Sequence, residues 1–398
     1  DILSGLVGSE MCIRDRYLLF ASALFYLPLI ALVATPRTRR RAHWIAAALL
    51  LATLASPLIL VTQGVIWKDV LFANLAVAGF TGLVLAERSE GYRRIAWLAV
   101  GALCAALAAA TRQNGFVVPL FAAIAVAVAT WLHRRRTIPA IGHGLAWLLL
   151  SIALYAAAQG AVQATAARHG GSGVAWGIGV LQRFDIAGMI AHGAPMPMLP
   201  ATEPVEAERL RAAIAHAYHP SRVEVLNSDP DARSVLRGTW AARIEQIWWD
   251  MLRSSPIAWI QHRASVARWM LAPPDVRRCL PIWVGVEGPP ELLATLGLAP
   301  GARPQDQSLY RYASAWFDTP LFLNISWAVL ALALLACLLR RRCRAPGDAA
   351  ILALLCAALV FAGSFVLIGI ACDVRYLFLL PCACCLALAH LARPAFHA

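Results

Sequence analysis

Read for hydrophobic and polar positions alone, the chain is a series of long apolar runs separated by short polar gaps, with one long interruption after the sixth run. The runs cover residues 17–35, 44–62, 70–86, 95–110, 117–132, 141–159, 320–339, 349–370 and 376–391. Each is close to the roughly 17–25 residues that a tilted helix needs to cross a bilayer, where a helix satisfies its own backbone polar groups. Alanine, leucine and glycine dominate the runs, which favours close packing of helix on helix. The pattern predicts an all-α integral membrane protein with about nine transmembrane helices. Six fall in residues 17–160 and three in 320–398, with a helical domain in 161–319 between the sixth and the seventh.

The short gaps carry the orientation. Arg37, Arg39, Arg40 and Arg41 fill one, Arg93 and Arg94 the next, Arg134, Arg135 and Arg136 a third, and Arg340, Arg341, Arg342 and Arg344 a fourth. If the first of these is cytoplasmic and the runs alternate, every cluster falls on the cytoplasmic side, as the positive-inside bias requires. The opposite face receives residues 63–69, 112–116, the long interruption and 371–375, so the helical domain is expected to be extracytoplasmic. Composition agrees: 60% of residues are hydrophobic, 14% are charged, and mean hydropathy is +0.64, whereas soluble domains are about a quarter charged. The net charge of +13 is accounted for by the arginine gaps, and its distribution excludes nucleic acid as a partner.

Residues 1–16 (DILSGLVGSEMCIRDR) match neither a span nor a signal peptide. They resemble the translated adapter read-through found at the ends of some metagenomic reading frames. They are set aside as non-native, which leaves the native N-terminus missing. Cys104, Cys337, Cys356, Cys382, Cys384 and Cys385 lie inside apolar runs, where cysteine acts as a small hydrophobe. Cys279 and Cys372 are the two placed on the oxidising side, where a disulfide between them is open but has no support in the sequence. In the long loop, Asp231 is positioned to cap a helix whose Leu236, Trp240, Ile244, Ile247, Trp248 and Met251 share a face. Pro256 opens another helix through Trp259, Val266, Trp269 and Met270. Trp248, Trp249, Trp259, Trp269 and Trp283 suit either a domain resting on headgroups or a small helical core. The Gly-x-Gly elements at 171–173 and 177–179 lack the strand–helix context of a nucleotide site.

Three short external gaps hold polar residues that crossing a membrane does not require: Trp67-Lys68-Asp69, Arg112-Gln113-Asn114-Gly115 and Asp373-Val374-Arg375-Tyr376. Cations on this face run against the positive-inside bias and need solvent or a partner. Lys68 is the only lysine in the chain. Each gap also has a plainer reading. Asp69 and Asp373 fit helix N-caps, Asn114-Gly115 a left-handed helix stop, and Arg375 a snorkelling side chain. Asp185 likewise fits a cap, and His262-Arg263 a surface pair. Lys and Arg hold phosphate oxygens through charge-assisted hydrogen bonds and stabilise a departing phosphate. A neighbouring carboxylate can take a proton from an attacking hydroxyl.

Many spans, cytoplasmic arginine gaps, an external Lys68-Asp69, an Arg112-Gln113-Asn114-Gly115 stop and an Asp373-Val374-Arg375-Tyr376 before a late span resemble the GT-C superfamily of membrane glycosyltransferases. The pattern is similar to that of bacterial relatives of the family 39 mannosyltransferases and of the lipid A aminoarabinose transferases. The resemblance implies a multi-pass protein of the bacterial plasma membrane with an extracytoplasmic active face. Its partners are membrane lipid and a polyprenyl-phosphate sugar donor, and it inverts the anomeric carbon. The family's main acidic residue lies in the first external loop, where this chain carries the adapter-like run, so no residue here takes that role. Asp69 then stands as a second acidic group. Lys68, Arg112, Asn114, Asp373, Arg375 and Tyr376 stand as substrate-binding residues. No cofactor or metal ligand is assigned, and a divalent-metal requirement and the oligomeric state stay open. The rival readings are a polysaccharide polymerase or ligase working through His262 and Arg263, a transporter, and a non-catalytic membrane protein.

Overall fold

The structure is a computed structural model that describes residues 2–34, 40–166, 174–196, 204–286, 288–295, 297, 299–343 and 345–392. Arg37, Arg39, Arg344 and the glycines of 171–173 lie outside the described residues. The chain is helical throughout, with no strand among the described residues. Its α-helices are α1 (Ile2–Ala34), α2 (Arg40–Ala55), α3 (Pro57–Gln63), α4 (Lys68–Glu87), α5 (Gly91–Thr111), α6 (Val117–Arg134) and α7 (Thr137–Ala166). There follow α8 (Val174–Ala191), α9 (Pro204–Ala217), α10 (Glu224–Ser228), α11 (Pro230–Ser234), α12 (Ile244–Ser254) and α13 (Pro256–Leu271). The chain ends with α14 (Pro290–Thr295), α15 (Pro304–Ser314), α16 (Asn324–Arg340), α17 (Asp348–Ile368) and α18 (Leu379–Leu391).

This is a multi-pass membrane protein by the length and apolarity of its helices. Six of the nine apolar runs are helices long enough to cross a bilayer. The run at 44–62, read from sequence as one helix, is instead bent by 59° between α2 and α3. Pro57 has no N–H to donate, and its ring drives Ser56 out of helical geometry, to φ −60 and ψ 119. The runs at 320–339 and 376–391 form apolar helices of 17 and 13 residues, α16 and α18. Each follows a short 3-10 turn.

The chain divides into two compact units. The first comprises Asp1–Gln163, Pro281–Ala362 and Arg375–Ala398. Its centre is α4, buried over 83% of its span, whereas only 11% of α7 is buried. Thus α4 faces protein, and α7 presents Ile138, Leu149 and Ile152 outward, as a lipid-facing helix does. Inside this apolar bundle Gln63 and Asn74 exchange two amide hydrogen bonds of 2.8 Å, and Asn74 Nδ2 donates to the Ala21 carbonyl at 2.7 Å. That ties α1, α3 and α4, with every polar atom in the tie partnered. At one end of α4 the Gly347 amide donates to Glu87 at 2.8 Å, and Asp348 meets His390 Nε2 at 2.8 Å. Two of the short gaps read as cytoplasmic, at 87–94 and 340–347, therefore meet at the same end of the bundle.

The second unit comprises Ala164–Leu280 and Gly363–Val374. Residues 281–319, read from sequence as part of the helical insert, group with the first unit. The single helix expected from Asp231 to Met251 is broken. Asp229, not Asp231, caps α11 by accepting from the Ala232 amide. The chain then passes through a π turn at Val235–Thr239 and a 3-10 turn at Ala241–Arg243 before α12. Pro256 does open α13, at a position where its missing N–H has no partner to lose. The segment 369–373 is held along its length. Arg263 donates to the Gly369 carbonyl at 2.7 Å, and the Val223 amide to Ile370 at 3.0 Å. The Cys372 amide donates to Ser221 at 2.8 Å, and Cys372 is disulfide-bonded to Cys279.

Candidate functional site

At the opposite end of α4, about 30 Å from Glu87 by helical rise, the first unit gathers residues from all three gaps read from sequence as external. Trp67, in extended geometry, precedes the helix, and no side chain caps it. Asp69 is therefore not an N-cap. It lies inside the first turn, 4% exposed, and forms an ion pair with Arg112. A carboxylate here is favoured by the helix dipole as well as by its partner. Arg112 leaves α5 in extended geometry, φ −141 and ψ 145. The turn after it works through space, not through a left-handed backbone. Gly115 has no positive φ, but a Cβ there would lie 2.8 Å from the Ala108 carbonyl and 3.0 Å from that of Arg112. Only glycine lets the chain fold back this closely over the end of α5.

Arg375 completes the cluster from the 3-10 turn ahead of α18. Its guanidinium sits 4.3 Å from the centre of the Trp67 ring and 5.3 Å from that of Tyr376, and its Nε lies 3.9 Å from Asp69. Arg112 lies over Phe361 at 5.5 Å and Tyr376 at 5.6 Å. Arg375 is thus held by rings as well as by charge. Burial lowers the Arg112 pKa to about 10; Tyr376 opposes the shift and Arg375 adds to it. The group remains a cation at neutral pH. Lys68 stands exposed beside them, and Asn114 is half-buried in the turn. Three cations with one carboxylate among them, walled by aromatic rings at the end of a membrane-length helix, can hold an anion such as a phosphate.

Asp373 does not join this cluster. It belongs to the second unit, 3% exposed, where it forms an ion pair with Arg222. Trp67 was not among the residues expected at the site, and its only local signal is its place next to Lys68. The roles of Phe361 and Arg222 had no local signal.

The second unit contains a buried polar cluster that contradicts two of the plainer readings. Asp185 is not a cap: it lies within α8, 1% exposed. His262 and Arg263 are not on the surface, at 0% and 3% exposed. The indole N–H groups of Trp248 and Trp259 donate to Asp185 at 2.9 and 3.2 Å, His262 Nε2 lies 3.0 Å away, and Arg263 forms an ion pair with it. With Nε2–H given to the carboxylate, His262 Nδ1 accepts from the Tyr218 hydroxyl at 2.7 Å. Burial lowers the His262 pKa against the pull of Asp185, and burial raises that of Tyr218. The imidazole ring packs directly on Gly188 of α8, where any side chain would collide with it.

No family model matches this chain, and no curated protein and no solved structure matches it either.

Proposed function

We propose that this protein is a membrane glycosyltransferase that moves a sugar from a polyprenyl-phosphate carrier to a glycan, lipid or protein acceptor on the outer face of a bacterial plasma membrane. The observation that carries the reading is the gathering of Lys68, Arg112 and Arg375 around Asp69 beneath the rings of Trp67 and Tyr376. In this reading the six long helices, the bent α2–α3 pair, α16 and α18 make about nine crossings. The extracytoplasmic placement draws support from two sources. The arginine gaps at 87–94 and 340–347 meet at the far end of α4, and the Cys279–Cys372 bond suits an oxidising compartment.

The chemistry follows from the geometry. Lys68, Arg112 and Arg375 hold the carrier phosphate and stabilise its charge as the glycosidic bond breaks. Asp69 is turned to one guanidinium and lies near a second, so it acts as the residue that positions Arg112 and Arg375. The acceptor hydroxyl oxygen bonds to the anomeric carbon as the bond to the carrier phosphate breaks, and its proton passes to the departing phosphate. The polymerase or ligase alternative needs His262 and Arg263 facing a substrate, and both are buried, His262 between Asp185 and Tyr218 and Arg263 with two of its three guanidinium nitrogens on Asp185 and Gly369.

The test uses membranes carrying the full-length gene product and a panel of radiolabelled polyprenyl-phosphate sugars. Lys68→Ala and Arg112→Gln should abolish transfer at unchanged expression. Transfer that persists at the wild-type rate in both would sink this assignment.

A further inference from the structure

Asp185 sets the rotation of two helices at once. It binds Trp248 of α12 and Trp259 of α13 through the same oxygen, Oδ2. Successive residues of a helix turn by about 100°. Trp249 and Ile260, each one residue further on, are thereby carried off the packed side. They are 43% and 58% exposed, and Ile257, three residues before Ile260, is 70% exposed. Arg253, one turn after Trp249, lies over its ring at 5.7 Å; its side chain is 74% exposed, and Nη1 is 3.8 Å from the carboxylate of the exposed Asp250, a surface pair that leaves the guanidinium open to a competing phosphate. Large apolar side chains exposed on two consecutive helices need an apolar partner.

The same unit contains a second apolar surface. Its segment Gly363–Val374 includes the end of the membrane-length helix α17, where Val366, Leu367 and Ile368 are 37%, 56% and 41% exposed. Arg263, one turn beyond Ile260 on α13, donates to the carbonyl of Gly369, the first residue after α17. By helical rise, Ile260 and Ile257 lie about 4.5 and 9 Å along α13 from Arg263, within two turns of the residue that binds the carbonyl following a membrane-length helix. Trp, Ile and Arg together are the chemistry of the headgroup layer: the ring and branched chains enter the acyl boundary and the guanidinium meets lipid phosphate.

We propose that Trp249, Arg253, Ile257 and Ile260 form an in-plane anchor that seats the α12–α13 turn in the headgroup layer of a bilayer containing anionic phospholipid.

The test places photoreactive benzoylphenylalanine singly at Ile260, at Leu367 as a lipid-facing reference, and at exposed Glu208 on α9 as a polar reference. The full chain is reconstituted in nanodiscs of phosphatidylcholine with or without phosphatidylglycerol. Irradiation should give lipid-mass adducts at Ile260 and Leu367 but not at Glu208. Phosphatidylglycerol should raise the Ile260 adduct by up to about fivefold, the equivalent of one interfacial arginine, and Arg253→Gln should remove that increment. A dimer-mass crosslink from Ile260 would assign the patch to a second copy and overturn the proposal. Lipid adducts at Leu367 with none at Ile260 would overturn it as well. Both readouts are independent of sugar transfer.

Discussion

Replacing Asp185 by alanine should open the second unit. The carboxylate is 1% exposed and serves Trp248, Trp259, His262 and Arg263 together. Its removal leaves Arg263, 3% exposed, with the Gly369 carbonyl but without its counter-charge. Breaking a buried ion pair by removing one partner costs about 3–5 kcal/mol. Each indole or imidazole N–H left without an acceptor adds about 1–3 kcal/mol wherever water cannot reach it. Whole domains are stable by only about 5–15 kcal/mol, so the ion pair alone is a large part of the total. Hydrogen exchange in nanodiscs reads this directly as lost protection in α8, α12 and α13. The double variant Asp185→Leu/Arg263→Met removes both charges and should lose less than the single one, because no uncompensated charge is left behind. Protection in Asp185→Ala within about 0.5 kcal/mol of wild type, the range of an ordinary surface change, would refute the reasoning.

Acid should weaken the same unit. A His262 pKa lowered by burial means that the folded state binds fewer protons than the unfolded one. The contribution is complete above about pH 6.5 and is lost as pH falls below it. Protease resistance measured from pH 7.5 to 5 should decline in wild type and less so in His262→Gln. Gly188→Ala should destabilise by about 1–3 kcal/mol because the methyl meets the His262 ring. Propensity alone would have stabilised α8 by up to about 1 kcal/mol, so the sign of the change in exchange protection decides between them. Reducing the Cys279–Cys372 bond, which spans 93 residues, should cost about 2–5 kcal/mol. A non-reducing gel shift with earlier proteolysis of the second unit would show it, and a Cys279→Ser chain as resistant as wild type would exclude it.

The sequence by itself determined the features that depend on short stretches of chain. Run length and apolarity marked six membrane-length helices, and Pro256 marked the start of a helix. The lysine and arginines of the unit-one cluster stood out because cations there ran against the expected charge bias. The break at Ser56–Pro57 was also written locally, but hydropathy ran straight through it. Only the tertiary structure decided which polar groups pair. Asp185 and Trp259 are 74 residues apart, and Arg222 and Asp373 are 151 apart. Nothing near Asp373 distinguishes a helix cap from a partner for Arg222. Of the adjacent pairs Trp248–Trp249 and Trp259–Ile260, sequence shows only that apolar residues recur. The physical reason is that hydropathy and periodicity are sums over neighbours, whereas a buried charge takes its role from whichever donors the fold brings within about 3 Å.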